Sequence, residues 1–272
     1  MEQGVREVEY KWKETWLSRV NPSLKLVTTI IGFIAIIFVH NPNALLVLFL
    51  ASLFLLFCFS GHPRKFVLLY CLPFLLLFIS SSSAMVLFGK GETTWFHYGL
   101  IHITEESFYR GIHLGLRAST FAVLGLLFAL TTKPVLLFYS LMQQLKLPAN
   151  IAYSFMASIR MLPIMVSEFQ TLHYAYRIRG LDLGKGATGF LKKMRFFSVP
   201  LLAQAIRRAQ RIAIAMEAKQ FNGAAKRTYF YKIGYSKWDV LFLTTCLAFV
   251  SASALLGGLE WFLPVGDVRH YE

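Results

Sequence analysis

Three stretches of the chain, Leu24–His40, Ala44–Ser60 and Phe66–Phe88, run almost without charge. At roughly 1.5 Å of rise per residue, each is long enough, or nearly so, to cross a hydrocarbon core of about 30 Å. In lipid the backbone must satisfy its own polar groups, and a helix does so within one segment. These runs are therefore predicted to be transmembrane helices. Composition agrees: 56% of residues are hydrophobic and only 15% charged, against about 25% charged in a soluble domain.

Two more runs, Ser107–Thr131 and Trp238–Phe262, bring the expected spans to five. Pro22, with Asn21 as cap, suits the start of the first. Asn41–Asn43 is expected to be a tight turn and Gly61–Lys65 a basic return. Pro73 is tolerable as an intramembrane kink, and Ser80–Ser83 allows close helix approach. Gly89–Glu106 is expected to be a polar loop on the outer side. Arg110 can snorkel to the surface, but Arg117 lies deeper and needs a partner or a polar cavity.

The net charge is +14, yet its layout points away from nucleic acid. Of 28 Lys and Arg, 17 lie in Thr132–Lys237, which holds three acidic residues, Glu168, Asp182 and Glu217. Retention of basic segments on the cytoplasmic side explains this, and no nucleic-acid module spacing accompanies the charge. The expected organisation is a cytoplasmic amino-terminal segment (1–23), a four-span membrane bundle (24–131), a cytoplasmic region (132–237), and a final span with an outer tail (238–272). Trp12 and Trp16 are expected at the headgroup level. Cys58, Cys71 and Cys246 sit in apolar stretches and read as small buried hydrophobes.

Within the basic region, helical periodicity runs from Leu147 to Gly180 and again from about Pro200 to Lys219. The second stretch sets Leu202, Ile206, Ala209, Ala213 and Met216 on one face and Arg207, Arg208 and Arg211 on the other. Taken alone, that pattern also suits a helix lying on anionic lipid. Each stretch ends in small and basic residues: "AYRIRG" (Ala175–Gly180) and "AMEAKQF" (Ala215–Phe221). Small residues permit close approach, and arginine offers a planar fork to carboxylates and carbonyls.

One enzymatic motif stands out in the sequence. "EESFYR" (Glu105–Arg110) matches the EExxxR pattern of intramembrane CAAX-type proteases, in which Glu105 and Glu106 would serve a metal or activate water. Phe169 and His173 satisfy the FxxxH element, but no histidine is followed four residues later by Asn. The plainer reading is a helix start, with acidic residues complementing the dipole. No phosphate-binding GxxxxGK[ST] loop and no HExxH spacing occurs. No catalytic residue, metal or cofactor is assigned.

The chain resembles the transmembrane T component of energy-coupling factor (ECF) importers, the CbiQ-like family. The resemblance rests on "RVNPSLKL" (Arg19–Leu26), "GLRASTFAVLGLLFALTTKP" (Gly115–Pro134), "LKLP" (Leu145–Pro148), "SIRMLPIMVSE" (Ser158–Glu168) and the two tips. Arg179 and Gly180 match the first Ala-Arg-Gly motif, with Ile178 replacing the small residue. Ala218 matches the second, with Lys219 standing for arginine and Gln220 for glycine. The resemblance implies an all-α membrane protein of about five transmembrane helices plus a cytoplasmic pair of long amphipathic coupling helices. It implies two ABC-type ATPase partners, met by Arg177, Arg179, Gly180, Ala218, Lys219 and Gln220. It further implies a small membrane subunit that binds a vitamin or metal ion. The pattern is similar to members dedicated to thiamine or its hydroxymethylpyrimidine precursor.

Overall fold

The computed structural model describes residues 13–89, 91, 93–98, 101–180, 186–221 and 228–258. Trp12, residues 181–185, and from residue 259 the end of the expected final span with the outer tail lie outside these. The chain divides into two compact units, one made of Met1–Leu137 and Ile233–Glu272, the other of Phe138–Lys232.

In the first unit, a single turn of 3-10 helix (Trp16–Arg19) leads into α1 (Pro22–Phe38), α2 (Pro42–Phe59) and α3 (Arg64–Phe88). α1 and α2 begin by one device. The Asn21 side chain accepts from the Ser23 amide at 3.1 Å, and Asn41 accepts from Asn43 at 2.9 Å. The proline that follows each cap has no amide to lose and a φ already helical. The expected turn at Asn41–Asn43 is thus the cap and first residues of α2. Pro73 lies inside α3, as expected.

The expected polar loop after α3 contains a hairpin, β1 (Thr94–Tyr98) and β2 (Ile101–Thr104), paired antiparallel with Phe96 opposite Ile103. β-Branched and aromatic residues favour the pleat, whereas the glycines and charges of 89–92 next to them favour loop. α4 (Glu105–Thr131) follows, capped by the Thr104 hydroxyl accepting from Ser107 N at 3.2 Å. α8 (Lys237–Gly257) completes this unit.

α4 is the centre of the bundle because its glycines let neighbours close in. A Cβ on Gly111 would meet Val86 Cγ2 at 2.5 Å, and one on Gly115 would meet the Phe78 ring at 2.9 Å. Small residues four apart allow such backbone approach between membrane helices, where packing rather than hydrophobicity holds helices together. Gly257 of α8 does the same against Ala44 of α2, at 2.7 Å. Leu55, Leu56, Val67, Val123, Leu127 and Phe242 form the core between these helices. Trp16 packs edge-on against Phe59, with ring centroids 5.4 Å apart.

The second unit takes in most of α5 (Pro134–Gln144), α6 (Ala149–Ile178) and α7 (Gly186–Ala218). Met142, Ala149 and Ala152 form a small core with Tyr153 and Tyr229 packed around it. The Gln143 amide donates to Tyr231 O at 2.7 Å, tying the segment after α7 to α5. α7 starts well before Pro200, the residue at which the sequence suggests its beginning.

Among the described residues, five helices are long and apolar enough to cross a membrane: α2, α3, α4, α6 and α8. α1, at 17 residues, is shorter but apolar. The tally matches the expectation while its membership differs. α6 carries a window of mean hydropathy 1.3, against 2.1 for α3 and α8, in a region where the sequence suggests no clean span. The protein is an all-α multi-pass membrane protein.

Candidate functional site

The candidate site is built on the ends of α6 and α7. Arg177 lies in the last turn of α6, Arg179 is its cap, and Gly180 follows with φ +67°. The Gly180 amide donates to Arg177 O at 3.2 Å and the Arg179 amide to Ala175 O at 3.1 Å. Terminal carbonyls are satisfied in this way when the residue after the cap turns left-handed, which glycine does without strain.

α7 ends by the same geometry. Lys219 caps, and Gln220 takes φ +53°. Its amide donates to Glu217 O at 2.8 Å, and the Phe221 amide donates to Met216 O at 2.9 Å. Gln220 therefore occupies the backbone state that glycine occupies in the other tip. Arg177, Ile178, Arg179, Gly180, Ala218, Lys219 and Gln220 are all exposed. The structure thus gives the six expected coupling residues two like helix ends and leaves their side chains open.

Behind the tips the two helices are tied together. The Arg208 guanidinium pairs with Glu168 across α6 and α7, so Arg208 is engaged within this unit, while Arg207 and Arg211 stay exposed. Pro200 lacks the amide that would bond the carbonyl four residues back. That carbonyl, Phe196 O, instead accepts from the Tyr176 hydroxyl at 2.9 Å. This is how α7 continues through the proline. Between the helices lies a groove of about 590 Å³ lined by Phe169, His173, Phe190, Met194, Phe197 and Leu201. Phe169 and His173, the FxxxH pair, both pack on Phe197, at 4.8 and 6.1 Å between ring centroids. At the base of the unit Tyr139 lies against Tyr231. Burial, then the neighbouring Tyr153 and Tyr231, pushes its hydroxyl above the usual tyrosine range.

Much of the apolar surface on α7 is uncovered: Leu202, Ile206 and Ile214 are each at least half exposed. The apolar stripe expected from periodicity is real, but Leu202 and Ile206 bury little against the chain's own helices.

The acidic pair has a structural place. Glu105 and Glu106 form the first turn of α4. Glu106 Oε1 accepts from the Thr93 amide at 3.1 Å and the Thr93 hydroxyl at 2.7 Å, holding the hairpin's approach to the helix. Among the described residues, no three His, Cys, Asp or Glu side chains gather as metal ligands would. Arg117 has the partners its depth demands. It donates to Val39 O at 2.8 Å and lies 2.9 Å from His113 Nε2.

Residues 13–230 match the family model described as cobalt transport protein, CbiQ. The chain is 30% identical over 255 residues to the energy-coupling factor transporter transmembrane protein EcfT of Listeria innocua, covering 91% of this chain and 94% of that protein. It is 29% identical to the protein of the same description from Streptococcus thermophilus, covering 86% and 92%. With that of Acidaminococcus fermentans it shares 25% identity over 91% and 94%. A match over most of its length, on a helical membrane bundle that carries two long basic-tipped helices, shows that the chain belongs to the CbiQ cobalt transport family as a transmembrane component of the energy-coupling factor type.

Proposed function

We propose that the tips of α6 and α7 dock onto two ABC-type ATPase subunits, and that this chain passes their nucleotide-driven motion to a separate small membrane subunit holding a vitamin or metal ion. The observation that carries the reading is the matched pair of helix ends. Each closes with a left-handed residue, Gly180 or Gln220, and each leaves a cation, Arg179 or Lys219, exposed beside it. Two like ends suit two like grooves. Arg179 offers a bidentate fork, whereas Lys219 offers a point charge, so the groove that receives α7 is expected to present a single anionic or carbonyl contact.

The uncovered apolar surface of α7 supports a second role, packing against lipid or the substrate-binding subunit. On this reading the energy comes from the ATPases and the substrate is chosen by the other membrane subunit. This chain then carries out no chemistry of its own, and Glu105 and Glu106 serve as helix-start residues. Thiamine and hydroxymethylpyrimidine are the first substrates to test, followed by cobalt and other metals. The basic region and the amino terminus lie on the cytoplasmic side, where ATP is.

The test is co-purification with ABC-type ATPase subunits co-expressed from the same organism. Arg179→Glu combined with Lys219→Glu reverses both tip charges and is expected to reduce recovery of the ATPases by more than about tenfold, since like-charge juxtaposition disfavours docking. Membrane insertion is expected to be unchanged. Full recovery with the double variant would sink the docking model.

A further inference from the structure

The chain leaves the membrane unit after Leu137 and returns to it at Ile233. Both connections run close to one buried polar network at the start of α1. Lys25, only 3% exposed, donates its ammonium to Thr131 O, the carbonyl at the end of α4, at 3.0 Å. The Thr131 hydroxyl lies 3.5 Å away. One turn earlier, the Asn21 amide donates to Asp239 Oδ1 at 2.7 Å, and Asn21 Nδ2 donates to Gly234 O at 3.3 Å. The second Asp239 oxygen accepts from Ser236 N at 2.7 Å. Asn21 and Asp239 are each 3% exposed.

Two residues one helix turn apart thus hold both sides of the excursion: Lys25 the end of α4 at Thr131, from which the chain leaves, and Asn21 the Gly234–Asp239 segment by which it returns. A buried ammonium and a buried carboxylate are expensive to keep in a membrane helix bundle and are retained where they serve a purpose. Capping α1 needs only the Asn21 oxygen, which already accepts from Ser23. The Nδ2 bond to Gly234 and the whole of Lys25 lie outside that need.

We propose that Asn21, Lys25 and Asp239 form the anchor of the coupling region. They fix both covalent links to the membrane bundle, so that displacement of the α6–α7 unit is delivered to α1, α4 and α8 rather than absorbed by slack in residues 132–137 and 233–236. The three are positioning residues, and the coupling part of their role rests on the proposed docking to ATPases.

The test is hydrogen exchange on the full chain in lipid nanodiscs, free and in complex with its ATPases. Lys25→Met removes the donor to Thr131. Asn21→Ser keeps a good helix cap but cannot reach Gly234, and it serves if Lys25→Met fails to fold. In the free chain either variant is expected to raise exchange about tenfold in residues 132–137 or 233–236 respectively, leaving α2 and α3 unchanged. In the complex, a non-hydrolysable ATP analogue is expected to alter exchange in α4 and α8 of the unmodified chain and to do so much less in the variants, with ATPase recovery retained. Unchanged link exchange overturns the anchor. An undiminished nucleotide response in the variants, or loss of assembly together with a general rise in exchange, overturns the coupling role. If the unmodified chain recovers no ATPases, the docking proposal fails and takes the coupling role with it, while the free-chain comparison still decides whether the anchor exists.

Discussion

At Gln220, as at Lys146, backbone and side chain disagree. An L-residue in the left-handed region is disfavoured by about 1–2 kcal/mol, yet Gln220 sits at φ +53° because the end of α7 needs it there. Gln220→Gly is expected to raise the stability of the coupling unit by about 0.5–1 kcal/mol, part of the gain being lost to the freer unfolded chain. Gly180→Ala is expected to act oppositely, lowering it by about 1 kcal/mol. A Cβ there meets nothing within 4 Å, so crowding plays no part. Thermal unfolding of the two purified variants checks the signs, and two shifts in the same direction would contradict the shared geometry. The sequence shows the departure from glycine at Gln220, and with it only a change in docking chemistry. That the change falls on a strained backbone position depends on where α7 stops. Asn21 as a cap and Arg117 as a buried cation in want of a partner are legible because each follows from the residue's own chemistry. The partner, Val39 O, is not, since it comes from packing between residues 78 apart.

At the scale of elements, the apolar runs were readable because a membrane span leaves a long, one-sided signature in composition. The elements that escaped are those in which a local signal was overridden. Pro200 reads as a helix start, but Tyr176 takes up the carbonyl it leaves vacant and α7 runs on through it. The hairpin before α4 is too short, and too close to charged and glycine residues, to stand out by periodicity. The contact of α3 with α4 follows from Gly111 and Gly115, four residues apart. Gly111→Val is expected to force these helices apart, since its Cβ alone would come within 2.5 Å of Val86 and 3.0 Å of Ser82 O. Overpacking of this kind costs about 1–3 kcal/mol. A lowered midpoint in thermal unfolding, recovered in part by Val86→Ala, checks it. Failure of Val86→Ala to restore any stability would place the strain elsewhere.

For the whole molecule, the proposed topology turns on whether α6 crosses the membrane. By length and composition α6 could span. Its interior nevertheless carries Arg160, Glu168 and His173, and Glu168 is paired with Arg208 of a helix that is itself too basic to cross. Charges near the middle of a spanning helix cost about 2.5–3.5 kcal/mol each, and the basic residues that surround α6 favour retention on the cytoplasmic side. The proposed topology therefore has α1 to α4 and α8 cross, and it predicts an outer hairpin at Thr94–Thr104 and cytoplasmic tips. Single cysteines placed at Trp95 and Ile178, each well exposed, in a chain freed of Cys58, Cys71 and Cys246, test this. A membrane-impermeant maleimide applied to intact cells is expected to label Trp95→Cys at once and Ile178→Cys only after permeabilisation. Labelling of Ile178→Cys from outside would make α6 a true span, remove the tips from any cytoplasmic ATPase, and leave the coupling model without a site.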